Sequence, residues 1–106
     1  MGFAKERKRL EKLSEKTVAL QHFDSKNAEI ITDIFDQYSH TIRILKNKNI
    51  DLFNELYLHE LQQTKEHKKT LKLAEDSDDR ETLFLKYKEA LLNAINKTID
   101  VTNKTV

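Results

Sequence analysis

Residues 25–46, SKNAEIITDIFDQYSHTIRILK, decide the reading of the fold. Ile31, Ile34, Phe35, Tyr38, Ile42 and Leu45 recur there at steps of three and four, which gathers them on one stripe of an α-helix. Asp24 or Ser25 can accept from an orphan N–H at the start of this helix. Past its end, Lys46-Asn47-Lys48-Asn49 supplies a stop, with Asn47 read as a left-handed residue and Asn49 as the N-cap of the next helix.

The same periodicity extends outward in both directions. Towards the C-terminus, Phe84, Tyr87, Leu91, Ala94, Thr98 and Val101 form a second stripe, widened by Leu83, Ala90 and Ile95. Between the two, Ile50, Phe53, Leu56, Tyr57, Leu61 and Leu71 mark a third helix, whose thin apolar content from Gln62 to Lys72 leaves its later half free to project from the core. Ahead of them Phe3, Leu10, Leu13 and Leu20 give a sparse seam, suited to a helix that covers the others. Glu75-Asp76-Ser77-Asp78-Asp79 either separates the third and fourth helices or lets them run on as one rod; Asp78 and Glu81 have capping-box spacing. The expected fold is therefore all-α, an antiparallel four-helix bundle with helices at about 3–22, 25–46, 50–74 and 79–103, each boundary good to about two to four residues, in a single domain over residues 1–106. The three tyrosines fall on core stripes and read as large apolar bodies whose hydroxyls reach the bundle surface.

Composition narrows the function. The chain has 106 residues, with 19 Lys+Arg against 18 Asp+Glu, one Gly, no Pro and no Cys. Without cysteine there is no disulfide, thiolate metal site or thiol nucleophile, and with one glycine there is no phosphate-cradling glycine loop. Leu, Ile, Val and Phe make up 30 of the 106 residues, enough apolar side chain for a folded core. No apolar run approaches the roughly eighteen residues of a membrane span, and Met1 to Leu10 is charged where a signal peptide is apolar, so the expected setting is the cytoplasm.

Two kinds of surface stand out. Leu85, Leu92 and Ile99 form a second row on the fourth helix, and Ile30 and Ile44, with Gln37 between them, do the same on the second. Such a row either meets a partner or is covered by the first and third helices. Lys5, Lys8, Arg9, Lys12 and Lys16 share an arc of roughly 100° on the first helix, and Lys65, Lys68, Lys69 and Lys72 a comparable arc late in the third. Rows of this kind suit an acidic protein face or nucleic-acid phosphates. No aromatic residue stands among these lysines to stack on a base, and Arg occurs only four times.

Chemistry finds little support. Di-iron bundles need Glu-x-x-His pairs, and none occurs. Glu55/His59 and Asp36/His40 have metal-clip spacing, and His59, Gln63 and His67 line one side of the third helix, but eighteen acids and four histidines produce such pairs by chance. Ser14, Ser25, Ser39 and Ser77 sit in helices or at caps, with no triad among them. The expectation is a non-catalytic protein-interaction module without cofactor or metal, docking another protein or a second copy of itself through apolar helix faces flanked by lysines; the alternative is a nucleic-acid accessory protein. In architecture the chain resembles small helical accessory proteins of bacteria, phages and plasmids, the four-helix bacteriocin-immunity proteins among them; a bundle of this kind hosts many functions.

Overall fold

The computed structural model describes residues 3–74 and 78–104, and every regular element among them is helical. α1 spans Ala4–Val18, α2 Ser25–Lys48 and α4 Arg80–Lys104. α3 is one rod in three stretches: α-helical Ile50–Glu55, π-helical Leu56–Glu60 and α-helical Leu61–Leu73. The expected all-α four-helix bundle is what forms.

Neighbouring helices run antiparallel around the bundle. Arg7 and Ser14 of α1 bond Thr102 and Asn96 of α4, in reversed order. Lys46 and Asp36 of α2 meet Tyr57 and Lys68 of α3, again reversed. Across the diagonal, α2 and α4 meet through Phe35 with Tyr87 and Tyr38 with Thr98. The other diagonal is closed at one end by Phe3 against Phe53, edge to face at 5.2 Å.

The caps follow local chemistry. Asp24 is extended and its carboxylate accepts from the Asn27 N–H at 2.6 Å; Asn49 does the same for Leu52 at 3.3 Å. Asn47 is not a left-handed stop: α2 continues through Lys48, and no non-glycine residue among the described ones has positive φ. Asn49 ends the helix instead, because its extended backbone, φ −154°, is what capping α3 requires. α1 stops at Val18, earlier than the periodicity suggests, and Leu20 leaves the helix to plug the core. Asp78 and Glu81 form no capping box. α4 begins one residue later than that pairing needs, and the Glu81 carboxylate accepts the Phe23 N–H at 2.6 Å, tying the α1–α2 link to α4. α3 and α4 are separate helices, although residues 75–77 of the acidic run lie outside the described residues.

The later half of α3 does not project. Leu61 and Thr64 are buried and Leu71 packs against the core. The buried positions Phe53, Leu56, Leu61 and Thr64 include a five-residue step, which a regular α-helix would swing off the face. The π turn absorbs it: the Leu61 N–H donates to the Leu56 carbonyl, five residues back, so both halves of the rod face inward.

Apolar stripes alone leave gaps, and threonines fill them. Thr17, Thr41, Thr64, Thr98 and Thr102 are wholly buried, at least one on each helix. The first four donate their hydroxyls to the carbonyl one turn back, Leu13, Gln37, Glu60 and Ala94, at 2.7–2.8 Å, and Thr102 donates to Ile99. Thr17 completes the sparse stripe of α1. Tyr38 then donates to Thr98 Oγ1 at 2.9 Å, since the one Thr98 proton is already given to Ala94. Contrary to the surface reading of the tyrosines, the hydroxyls of Tyr38 and Tyr87 stay inside, and burial pushes both phenols well above their ordinary value; Asp36 adds to the rise at Tyr87.

Two stability effects follow. Leu91→Ala, at a position without solvent exposure, is expected to cost about 2–5 kcal/mol in urea unfolding. Thr98→Val should cost about 1–3 kcal/mol by removing the nearer acceptor of Tyr38 and leaving only the Ala94 carbonyl at 3.4 Å, and the cost should shrink in a Tyr38→Phe background, a coupling that a double-mutant cycle measures.

Candidate functional site

α1 buries Phe3 at its start, then Glu6, Leu10, Leu13 and Thr17, so the arc opposite this stripe is left to solvent. On that arc and its α2-facing edge stand Lys5, Lys8, Arg9, Lys12 and Lys16. All five, with Leu13 and with Gln37 of α2, line one groove of about 370 Å³ between the two helices. The basic row and the middle of the Ile30–Gln37–Ile44 row, separate in sequence, thus share one surface.

Among the described residues no ion pair joins the row to the acids that interleave it in sequence. Glu11 and Glu15 are exposed at the edge of the row, about 60° round the helix from Lys8 and Lys12 respectively. Glu6 points inward, buried at 4% exposure, where Lys48 of α2 donates to its carboxylate. Among the described residues none of the five cations makes an ion pair. Gln37 is neutral and directs its amide to Asp33 at 2.7 Å. The groove is therefore a concentrated positive surface on a molecule whose total charge is +1.

The second basic row is divided. Lys68 lies over the Phe35 ring at 4.9 Å and 3.9 Å from Asp36, so its stem packs against α2. Lys68 and Lys72 line a cavity between α2, α3 and α4, whereas Lys65 and Lys69 are exposed.

The spare apolar rows are mostly engaged. In helical projection Leu92 and Ile99 fall between Asn96 and Thr102, both bonded to α1, so this flank is the seam with α1. Ile99 and Ile30 pack against the core, and Leu92 and Ile44 are half-buried. Leu85, two turns nearer the start of α4 than Leu92, is 41% exposed.

The histidine row comes apart. His59 lines one surface cavity with Glu55 and Glu60, and Gln63 and His67 line another with Lys86 and Glu89. Asp36 turns to Lys68 rather than His40, and Glu60 lies 3.4 Å from Lys97. Among the described residues no group of three His, Asp or Glu side chains is placed to hold a metal ion. Ser14 donates to the Asn96 amide oxygen at 3.0 Å, which gives that hydroxyl a structural partner. No helix among the described residues is long and apolar enough to cross a membrane. No family model, no curated protein and no solved structure matches the chain.

Glu6 supplies a pH signature for the edge of the groove. Burial raises its pKa, but the Lys48 hydrogen bond and charge outweigh this and hold it below the ordinary 4.5. The stability it confers is full above pH 4.5 and lost as acid carries the pH through the lower folded value. In Lys48→Met the hydrogen bond and charge of Lys48 are lost while the Glu6 backbone hydrogen bond and the Lys5 charge still act, so the folded pKa rises towards the ordinary value and the variant should lose less stability than wild type as the pH falls below 4.5. Urea midpoints of both proteins against pH measure this.

Proposed function

We propose that the protein is a non-catalytic helical binding module that docks an acidic face of another protein on the α1–α2 surface. The observation that supports this is the groove lined by Lys5, Lys8, Arg9, Lys12 and Lys16, whose cations have no ion-pair partner among the described residues. From Lys5 to Lys16 the row covers about 16 Å at 1.5 Å per residue, three turns of a facing helix. Cations in this position steer encounter and fix orientation, and burial of the half-exposed edges of Ile30 and Ile44 would add affinity. Leu85, with the open edges of Leu92 and Ile99, offers a smaller apolar contact on the other flank of α1 for a partner or a second copy.

Nucleic acid is the competing partner, because five lysine and arginine heads at regular spacing also match phosphates. The groove contains no aromatic side chain on which a base could stack, which favours a protein. We place the module in the cytoplasm, as an accessory protein of a bacterium, phage or plasmid, with the bacteriocin-immunity type as one form; the four-helix architecture and the Lys-, Asn- and Ile-rich composition support this.

Purification from the cell of origin with Lys8→Glu/Lys12→Glu beside a control of equal charge, Lys65→Glu/Lys69→Glu, tests the proposal. The expected result is a protein retained by wild type and control, lost from the α1 variant and unaffected by nuclease. Loss on nuclease treatment would assign the groove to nucleic acid, and equal retention by all three would remove the groove from the function. Light scattering on the same variants reports whether the partner is a second copy.

A further inference from the structure

A second recessed site lies on the other side of the molecule, between α2, α3 and α4. Its volume is about 410 Å³, within the range of roughly 300–1,000 Å³ typical of small-molecule pockets. Phe23, Ala28, Leu71 and the Tyr87 ring give it an apolar lining with Thr32, and its three charged lining residues, Lys68, Lys72 and Arg80, are all cationic.

Its walls are held before any ligand arrives. Phe23 sits edge to face on Phe84 at 5.8 Å, the Arg80 guanidinium lies 5.0 Å from the Phe23 ring, and Glu81 accepts the Phe23 N–H. Three contacts thus fix the aromatic wall and bring Arg80 beside it. Lys68 is already engaged by Asp36, which leaves Arg80 and Lys72 as cations without an ion pair among the described residues. The Tyr87 ring forms part of the lining, while its hydroxyl is closed off from solvent and, among the described residues, is the one buried side-chain polar atom without a hydrogen bond of ordinary geometry. A buried hydroxyl left in this way is uncommon in a native interior.

We infer that this cavity binds a small monocarboxylate with an apolar body, of the size of a medium-chain fatty acid. The carboxylate is anionic for the planar donor fork of Arg80 and for the Lys72 ammonium. The hydrocarbon body replaces water over Phe23, Leu71 and the Tyr87 ring. The inference is independent of the groove on α1, since the two sites share no residue.

Octanoate and octanol, titrated separately into the full chain and followed by backbone amide NMR, test it. Octanoate should saturate one site, shift the amides of Phe23, Ala28, Thr32 and Leu71, and bind about tenfold more tightly than octanol, the preference expected for one charge-assisted contact. Lys72→Gln/Arg80→Gln should abolish the preference without weakening octanol. Ala28→Leu, which fills the apolar end, should weaken both at unchanged helix content. Octanoate binding no tighter than octanol, shifts centred on Leu13 and Gln37, or no saturation would overturn the site.

Discussion

A buried hydroxyl without an acceptor is costly, and for a threonine in a helix the nearest acceptor is the carbonyl one turn back. Thr17, Thr41, Thr64 and Thr98 all use it, so each presents little more than a methyl group to the core. This allows helices with few strongly apolar residues to pack closely along their whole length. It also creates the Tyr38–Thr98–Ala94 chain across the α2–α4 diagonal, where each hydroxyl hands its proton onward and no donor is left over. An apolar pair could pack as tightly across that diagonal but would tolerate sliding; a directional bond fixes the relative height of the two helices.

With the interior settled this way, charge is free to be sorted by face. Glu6 is the acid that enters the core, and it does so because Lys48 reaches it from α2. That single pairing removes from the α1 surface the acid closest to Lys5 and Arg9. Glu11 and Glu15 stay exposed at the edge of the lysine row, one turn from Lys8 and Lys12, without an ion pair to either. The cations of the row are therefore left without ion-pair partners among the described residues, although acids interleave them in sequence. The same logic acts on α3, where Lys68 is drawn towards Asp36 and the Phe35 ring and so leaves the basic row it belongs to by spacing alone.

The helix count, the antiparallel arrangement and the central stripes of α2 and α4 were legible because Ile31 to Leu45 and Phe84 to Ala94 carry their signal in large apolar side chains at helical spacing. The later half of α3 was not. Its burial depends on Thr64 and on a π turn, and no propensity marks a five-residue step when Tyr57 and Leu61 also fit a regular one. Asn47 failed as a stop because the choice between two neighbouring asparagines is made by the cap that the following helix requires. The basic arc on α1 could be read from spacing; that Gln37 meets it depends on which flank α2 takes, a tertiary fact. The Phe23 cavity left no sequence signal at all, since its lining comes from the α1–α2 link and three helices.

The division between interior and surface bears on what such a protein can do. Burial holds two phenols, Tyr38 and Tyr87, inside the bundle with raised pKa, while His59 and His67 line separate surface cavities. What the bundle does hold firmly is α1 itself, bonded to α4 through Arg7 and Ser14 and to α2 through Glu6. A rod anchored on both flanks keeps the roots of its exposed lysines at constant spacing. A partner that matches this spacing then gains every contact at once, without the further cost of ordering the backbone that carries them.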